Sequence, residues 1–78
     1  MFSLNIPYRG KAGNIVDLAE VSKIYCTLRD RSGEGCSTFR DGVVKENGKT
    51  IGFVSYNGKI WPGSDYDPAA TPLYNPYA

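Results

Sequence analysis

Phe2, Leu4 and Ile6 alternate with Ser3 and Asn5, the period-two pattern of a strand with one buried face. Pro7 lacks a backbone donor, which confines that strand to an edge or ends it. The run Arg9-Gly10-Lys11-Ala12-Gly13 reads as a turn, and Asn14-Ile15-Val16 as a brief return strand completing a hairpin. The period then becomes helical. Asp17 stands three residues before Glu20, the spacing of a capping box, and Val16 and Val21 occupy the two positions of a hydrophobic staple around it. A helix is predicted from Leu18 to about Arg31. At 100° per residue Leu18, Val21, Ile24, Tyr25 and Leu28 share one face, opposite Glu20, Lys23, Thr27, Asp30 and Arg31. Arg29 and Arg31 suit the negative end of the helix dipole, and Gly33 can take the left-handed position that ends it.

Past the loop Ser32–Cys36 the pattern is strand-like. Asn47-Gly48 and Asn57-Gly58 are strong hairpin signals, because a type I′ turn needs positive φ at both central residues. They divide the region into strands at about Thr38–Lys45, Lys49–Tyr56 and Lys59–Trp61. With two-residue turns, Glu46 pairs with Lys49, Val44 faces Ile51 and Gly42 faces Phe53. Across the second turn Tyr56 pairs with Lys59, Ser55 with Ile60 and Val54 with Trp61. From Pro62 onward lie four of the five prolines, three tyrosines and no Lys or Arg, a composition expected to be extended and irregular. The fold class expected is α+β: an N-terminal strand or hairpin, and one amphipathic helix packed on a three-stranded antiparallel meander. Residues 1–62 make a single domain, and residues 63–78 a Pro/Tyr-rich extended tail.

That register gives the meander two apolar faces. Val44, Ile51, Phe53 and Ile60 are expected to receive the helix as a core. Phe39, Val43, Val54, Tyr56 and Trp61 lie on the other face. One helix hides one face, so the second requires a cover. Three covers are open: the tail folding back through Tyr66, Leu73, Tyr74 or Tyr77; a second copy of the chain; or a foreign partner. For the third, Phe39, Tyr56, Trp61 and Val54 are the candidate anchors, rimmed by Arg40, Lys45 and Lys59, since Trp and Tyr are the residue types that most often dominate interfaces.

Composition narrows the chemistry. Seventy-eight residues bury about 60% of the surface of the unfolded chain, enough for an external site rather than a deep pocket. Apolar content of 41% is that of a globular domain, and a net charge of +1 argues against both strongly basic nucleic-acid binders and acidic DNA mimics. Two cysteines are too few for a disulfide framework. Met1–Gly10 lacks the pattern of a signal peptide, and no apolar run approaches the ~20 residues that cross a bilayer. A cytoplasmic chain with reduced thiols is expected, a Cys26–Cys36 bridge being the alternative.

Histidine is absent, which removes most acid–base and nucleophile-activation schemes, and two cysteines do not make the usual zinc site; no cofactor is expected. Asp30 and Glu34 read as solvated charges beside Arg29 and Arg31. The loop Gly33-Glu34-Gly35-Cys36-Ser37 leaves a helix instead of entering one, unlike a phosphate cradle. An enzyme is not expected. Nucleic-acid binding stays open. Residues 1–61 hold all nine cationic side chains and six of the eight anionic ones, a net +3, while Asp65 and Asp67 make the remainder −2. An aromatic sheet flanked by Arg40, Lys45, Lys49 and Lys59 can stack single-stranded bases.

Over residues 2–61, the segments Asp17-Leu-Ala-Glu-Val-Ser, Leu28-Arg-Asp-Arg-Ser-Gly and Ser55-Tyr-Asn-Gly-Lys-Ile-Trp61 resemble small proteins of bacteriophages and prophages, which run from a short strand into one helix and end in a Tyr-Asn-Gly hairpin with Trp. Several anti-CRISPR proteins are similar in plan. The resemblance implies a small non-enzymatic protein in the host cytoplasm that inhibits or redirects a bacterial protein or ribonucleoprotein complex by occupying its surface. A single-stranded nucleic-acid binder and a self-associating virion component, working as a homodimer or larger assembly, are the alternatives. No membrane partner is expected.

Overall fold

The computed structural model describes residues 1–78, arranged as β1 (Phe2–Ile6), β2 (Gly10–Ile15), α1 (Leu18–Ser32), β3 (Gly42–Glu46), β4 (Lys49–Val54) and β5 (Ile60–Pro62). The strands form one antiparallel sheet in the order β2-β1-β3-β4-β5, with the helix packed on one face. The α+β class is as expected, and β3-β4-β5 is the anticipated meander. The N-terminal hairpin widens it to five strands. β1 pairs with β3 from Phe2↔Glu46 to Asn5↔Val43, which carries Leu4 and Ile6 onto the helix side.

The helix starts and stops where expected, capped by Asp17 and ended by Gly33. The Glu20 N–H donates to Asp17 Oδ1 at 2.8 Å, and Gly33 ends the helix with φ 68°. Its buried stripe, however, is Val21, Ser22 and Tyr25, while Ile24 and Leu28 are only half-buried. The cause is the hairpin between β4 and β5. A Cβ on Gly58 would lie 2.9 Å from Cys26 Sγ and 3.2 Å from Ser22 Oγ, and the Ser22 hydroxyl donates to the Gly58 carbonyl at 2.7 Å. Small side chains on the helix let this backbone approach, so the stripe rotates toward them. Val16, expected to staple onto Val21, is 72% exposed.

The first hairpin turns earlier than expected. The Arg9 N–H donates to the Ile6 carbonyl at 3.0 Å, and Tyr8 has φ 65°. Proline second and a left-handed residue third is the type II pattern, so the turn is Ile6–Arg9 and β2 begins at Gly10. A tyrosine stands where glycine or asparagine is usual.

Register is where expectation and structure part. Asn47 (φ 51°) and Gly48 (φ 85°) make the type I′ turn, with Glu46 opposite Lys49. A bulge at Ile51 then sets Val44 opposite Gly52, and Gly42 opposite Val54. At the second turn only Gly58 has positive φ (89°). Its N–H donates to the Ser55 carbonyl at 2.8 Å, and the Ser55 N–H donates to Lys59 at 2.9 Å. The loop is therefore Tyr56-Asn57-Gly58, three residues rather than two, and Val54 pairs with Ile60 and Phe53 with Trp61. One residue of slip sends a side chain to the opposite face. Val54, expected on the open face, is fully buried in the core; Phe53, expected in the core, joins Trp61 on the side away from the helix.

Phe39 is the second correction. The Phe39 N–H donates to the Gly35 carbonyl at 2.9 Å in a turn ahead of β3, so the residue is not in a strand. Its ring enters the core 1% exposed, edge-on to Tyr25 with centroids 5.3 Å apart. Leu4, Ile6, Ile15, Val21, Tyr25, Phe39, Val44, Val54 and Ile60 form that core. Both cysteines are free, and no helix is long and apolar enough to cross a membrane.

The tail is irregular but docked. The Ile60 N–H donates to the Tyr74 carbonyl at 2.9 Å, the Leu73 N–H donates back to Ile60 at 2.7 Å, and the Tyr77 hydroxyl reaches the Asn57 carbonyl at 3.0 Å. Residues 73–77 thus cover the outer edge of β5, which leaves β2 as the sheet's free edge.

Candidate binding face

Strand alternation places Ser3 and Asn5 of β1, Val43 and Lys45 of β3, Phe53 of β4 and Trp61 of β5 on the side away from the helix. Lys11 of β2 joins them through its pairing with Asn5. One cross-strand row runs Lys11–Asn5–Val43–Phe53–Trp61 over all five strands. A shallow groove of about 250 Å³, lined by Ser3, Asn5, Lys11, Gly13, Val43 and Lys45 among others, lies at its β2–β3 end.

The aromatic end is held by local bonds. Trp61 Nε1 donates to Ser55 Oγ at 3.1 Å, Lys59 Nζ lies 5.9 Å from the indole centroid, and Tyr66 of the tail meets the indole edge to face at 5.0 Å. Trp61 is half-buried, whereas Phe53 is 8% exposed and forms the floor of the row.

The strand residues of this face carry charge of one sign. Glu46 is the only carboxylate in any strand, and it pairs with Phe2 and Lys49 in the row that neighbours Lys45, on the helix side. The protein makes two ion pairs, Arg9–Glu34 and Arg29–Asp30. Lys11 and Lys45 are exposed and Lys59 is half-buried, and none of the three has a carboxylate partner.

Of the seven side chains anticipated as a contact, Trp61, Lys45 and Lys59 share this face, and the other four do not. Phe39 and Val54 are core. Tyr56 clamps the end of the helix: its hydroxyl donates to the Glu34 carbonyl at 2.8 Å, Arg29 Nη1 donates to its carbonyl at 2.6 Å, and the Arg29 guanidinium sits 5.3 Å from its ring. Arg40 sits 6.0 Å from the ring of Tyr8 beside the first turn, and its carbonyl accepts from the Tyr25 hydroxyl at 3.0 Å. Burial of that hydroxyl, with the Asp41 charge as the next cause, raises the Tyr25 pKa well above its usual value.

Phe53, Lys11 and Asn5 were missed as members of the face. The alternation of β1 was legible and marks Asn5 as turned away from Leu4; what had no local signal was that β1 lies beside β3. No protein-family model, curated protein or solved structure matches the chain.

Proposed function

We propose that this chain is a non-catalytic binding protein that uses the outer face of its sheet to occupy the surface of a partner protein. The observation that supports it is the row Lys11–Asn5–Val43–Phe53–Trp61 with Lys45 and Lys59 beside it: apolar and aromatic at the centre, cationic at the rim, and free of strand carboxylates. Interfaces favour a buried aromatic anchor with a polar rim that steers and orients the partner. The resemblance to small bacteriophage proteins supplies the partner class: a bacterial complex in the host cytoplasm, inhibited or redirected in the manner of anti-CRISPR proteins.

Affinity capture from bacterial lysate tests this with the full chain, Lys45→Glu on the face and Lys23→Glu on the exposed side of the helix. Lys23→Glu retains the captured partner, and Lys45→Glu weakens capture by about tenfold or more through charge reversal at the rim. Equal recovery with both variants refutes the assignment of the face.

A further inference from the structure

One segment of the chain already lies against this face. Tyr66 meets Trp61 at an interplanar angle of 87°, and Asp65 and Asp67 bracket it in sequence. The segment is tethered at both ends, by β5 through Pro62 and by the Ile60–Tyr74 bridge. Yet the contact is one-sided: Tyr66 stays 61% exposed, and neither aspartate forms an ion pair. An acid-aromatic-acid tripeptide thus rests on the aromatic end of a face whose lysines have no carboxylate partners.

We propose that Asp65-Tyr66-Asp67 is an internal stand-in for the ligand of the outer face, and that the partner presents an acidic polypeptide segment carrying an aromatic ring, which displaces Tyr66 from Trp61. This rests on the binding-face reading and adds to it the chemistry of the partner and a built-in competitor. Lys11 and Lys45 receive the carboxylates that the tail itself does not bring to them. An edge-to-face aromatic pair is weak, but a tethered ring acts at a high effective concentration, so it competes measurably without closing the site. A polypeptide is favoured over single-stranded nucleic acid by the state of the rings. Stacking of a base needs an open ring face; Lys59 lies over the indole, and Phe53 is only 8% exposed.

Trp61 is the one tryptophan, so its fluorescence reports the site directly. The full chain is titrated at low salt with a random Glu–Tyr copolymer, with polyglutamate and with an oligothymidylate. The copolymer is expected to bind more tightly than either, with affinity falling as salt rises. Tyr66→Ala is expected to tighten copolymer binding by about three- to tenfold, the worth of one aromatic pair, and to increase quenching of Trp61 by acrylamide before any ligand is added. Should Tyr66→Ala lower the urea midpoint, Tyr66→Phe, which keeps the ring, must behave as the parent protein.

Copolymer affinity unchanged or weakened in Tyr66→Ala overturns the stand-in, as does tighter binding of the oligothymidylate, which would make the ligand a nucleic acid. If Lys45→Glu reduces copolymer binding while Tyr66→Ala has no effect, the face stands and the competitor falls. If Lys45→Glu leaves copolymer binding intact, the face itself falls.

Discussion

Replacing Gly58 with alanine probes the contact that fixes the helix against the β4–β5 hairpin, and Gly48→Ala is its internal control. Both glycines have left-handed backbones, φ 89° and 85°. A side chain there costs about 1–2 kcal/mol in strain, offset by up to about 1 kcal/mol from the reduced freedom of the unfolded chain. At Gly48 nothing lies within 4 Å of the added Cβ, so a net loss of about 1 kcal/mol is expected. At Gly58 the same Cβ meets Cys26 Sγ at 2.9 Å and Ser22 Oγ at 3.2 Å. The turn must retreat, and the buried Ser22 hydroxyl then loses its only acceptor, the Gly58 carbonyl at 2.7 Å. An unpaired buried hydroxyl adds about 1–3 kcal/mol, for a total of about 2–4 kcal/mol. That is a large part of the ~4–12 kcal/mol available to a chain this long. Urea unfolding followed by Trp61 fluorescence gives both values, and Cys26→Ala closes a double-mutant cycle. Removing the sulfur should recover part of the Gly58→Ala loss and none of the Gly48→Ala loss. Equal costs for the two glycines, or no coupling to Cys26, refute the docking of turn on helix.

Two further outcomes follow from the core. Phe39→Ala removes a ring that is 1% exposed and packed edge-on to Tyr25, and should cost about 3–5 kcal/mol in the same urea assay. A loss below about 1 kcal/mol would return Phe39 to the surface. Tyr25, neutral and hydrogen-bonded to the Arg40 carbonyl in the folded state, has a pKa raised from 10.0 mainly by burial. Above pH 10 the unfolded state sheds that proton while the folded state keeps it. Stability is therefore complete below pH 10 and falls by up to about 1.4 kcal/mol per pH unit above it. In Tyr25→Phe this increment should disappear from the alkaline unfolding curve, although the variant starts lower for want of its hydrogen bond; an unchanged alkaline slope would contradict the assignment.

The parts of this protein that the amino-acid order determines by itself are those whose hydrogen bonds close within a few residues. Asp17 caps the helix three positions away, Gly33 ends it, and Asn47-Gly48 reverses the chain with its two strands already in pairing distance. The tertiary structure decided what depends on partners distant in sequence. Asn57-Gly58 repeats the dipeptide of Asn47-Gly48 but makes a three-residue loop, because Gly58 is drawn against Ser22 and Cys26 of the helix. That loop, with the bulge at Ile51, exchanges Phe53 and Val54 between the two faces. Phe39 goes inward because Tyr25 and the sheet leave it a place, and β1 comes beside β3 because Leu4 and Ile6 need a covered face. Alternation marks which residues share a side; only packing against the helix selects which side is inside, and so which residues are left to bind.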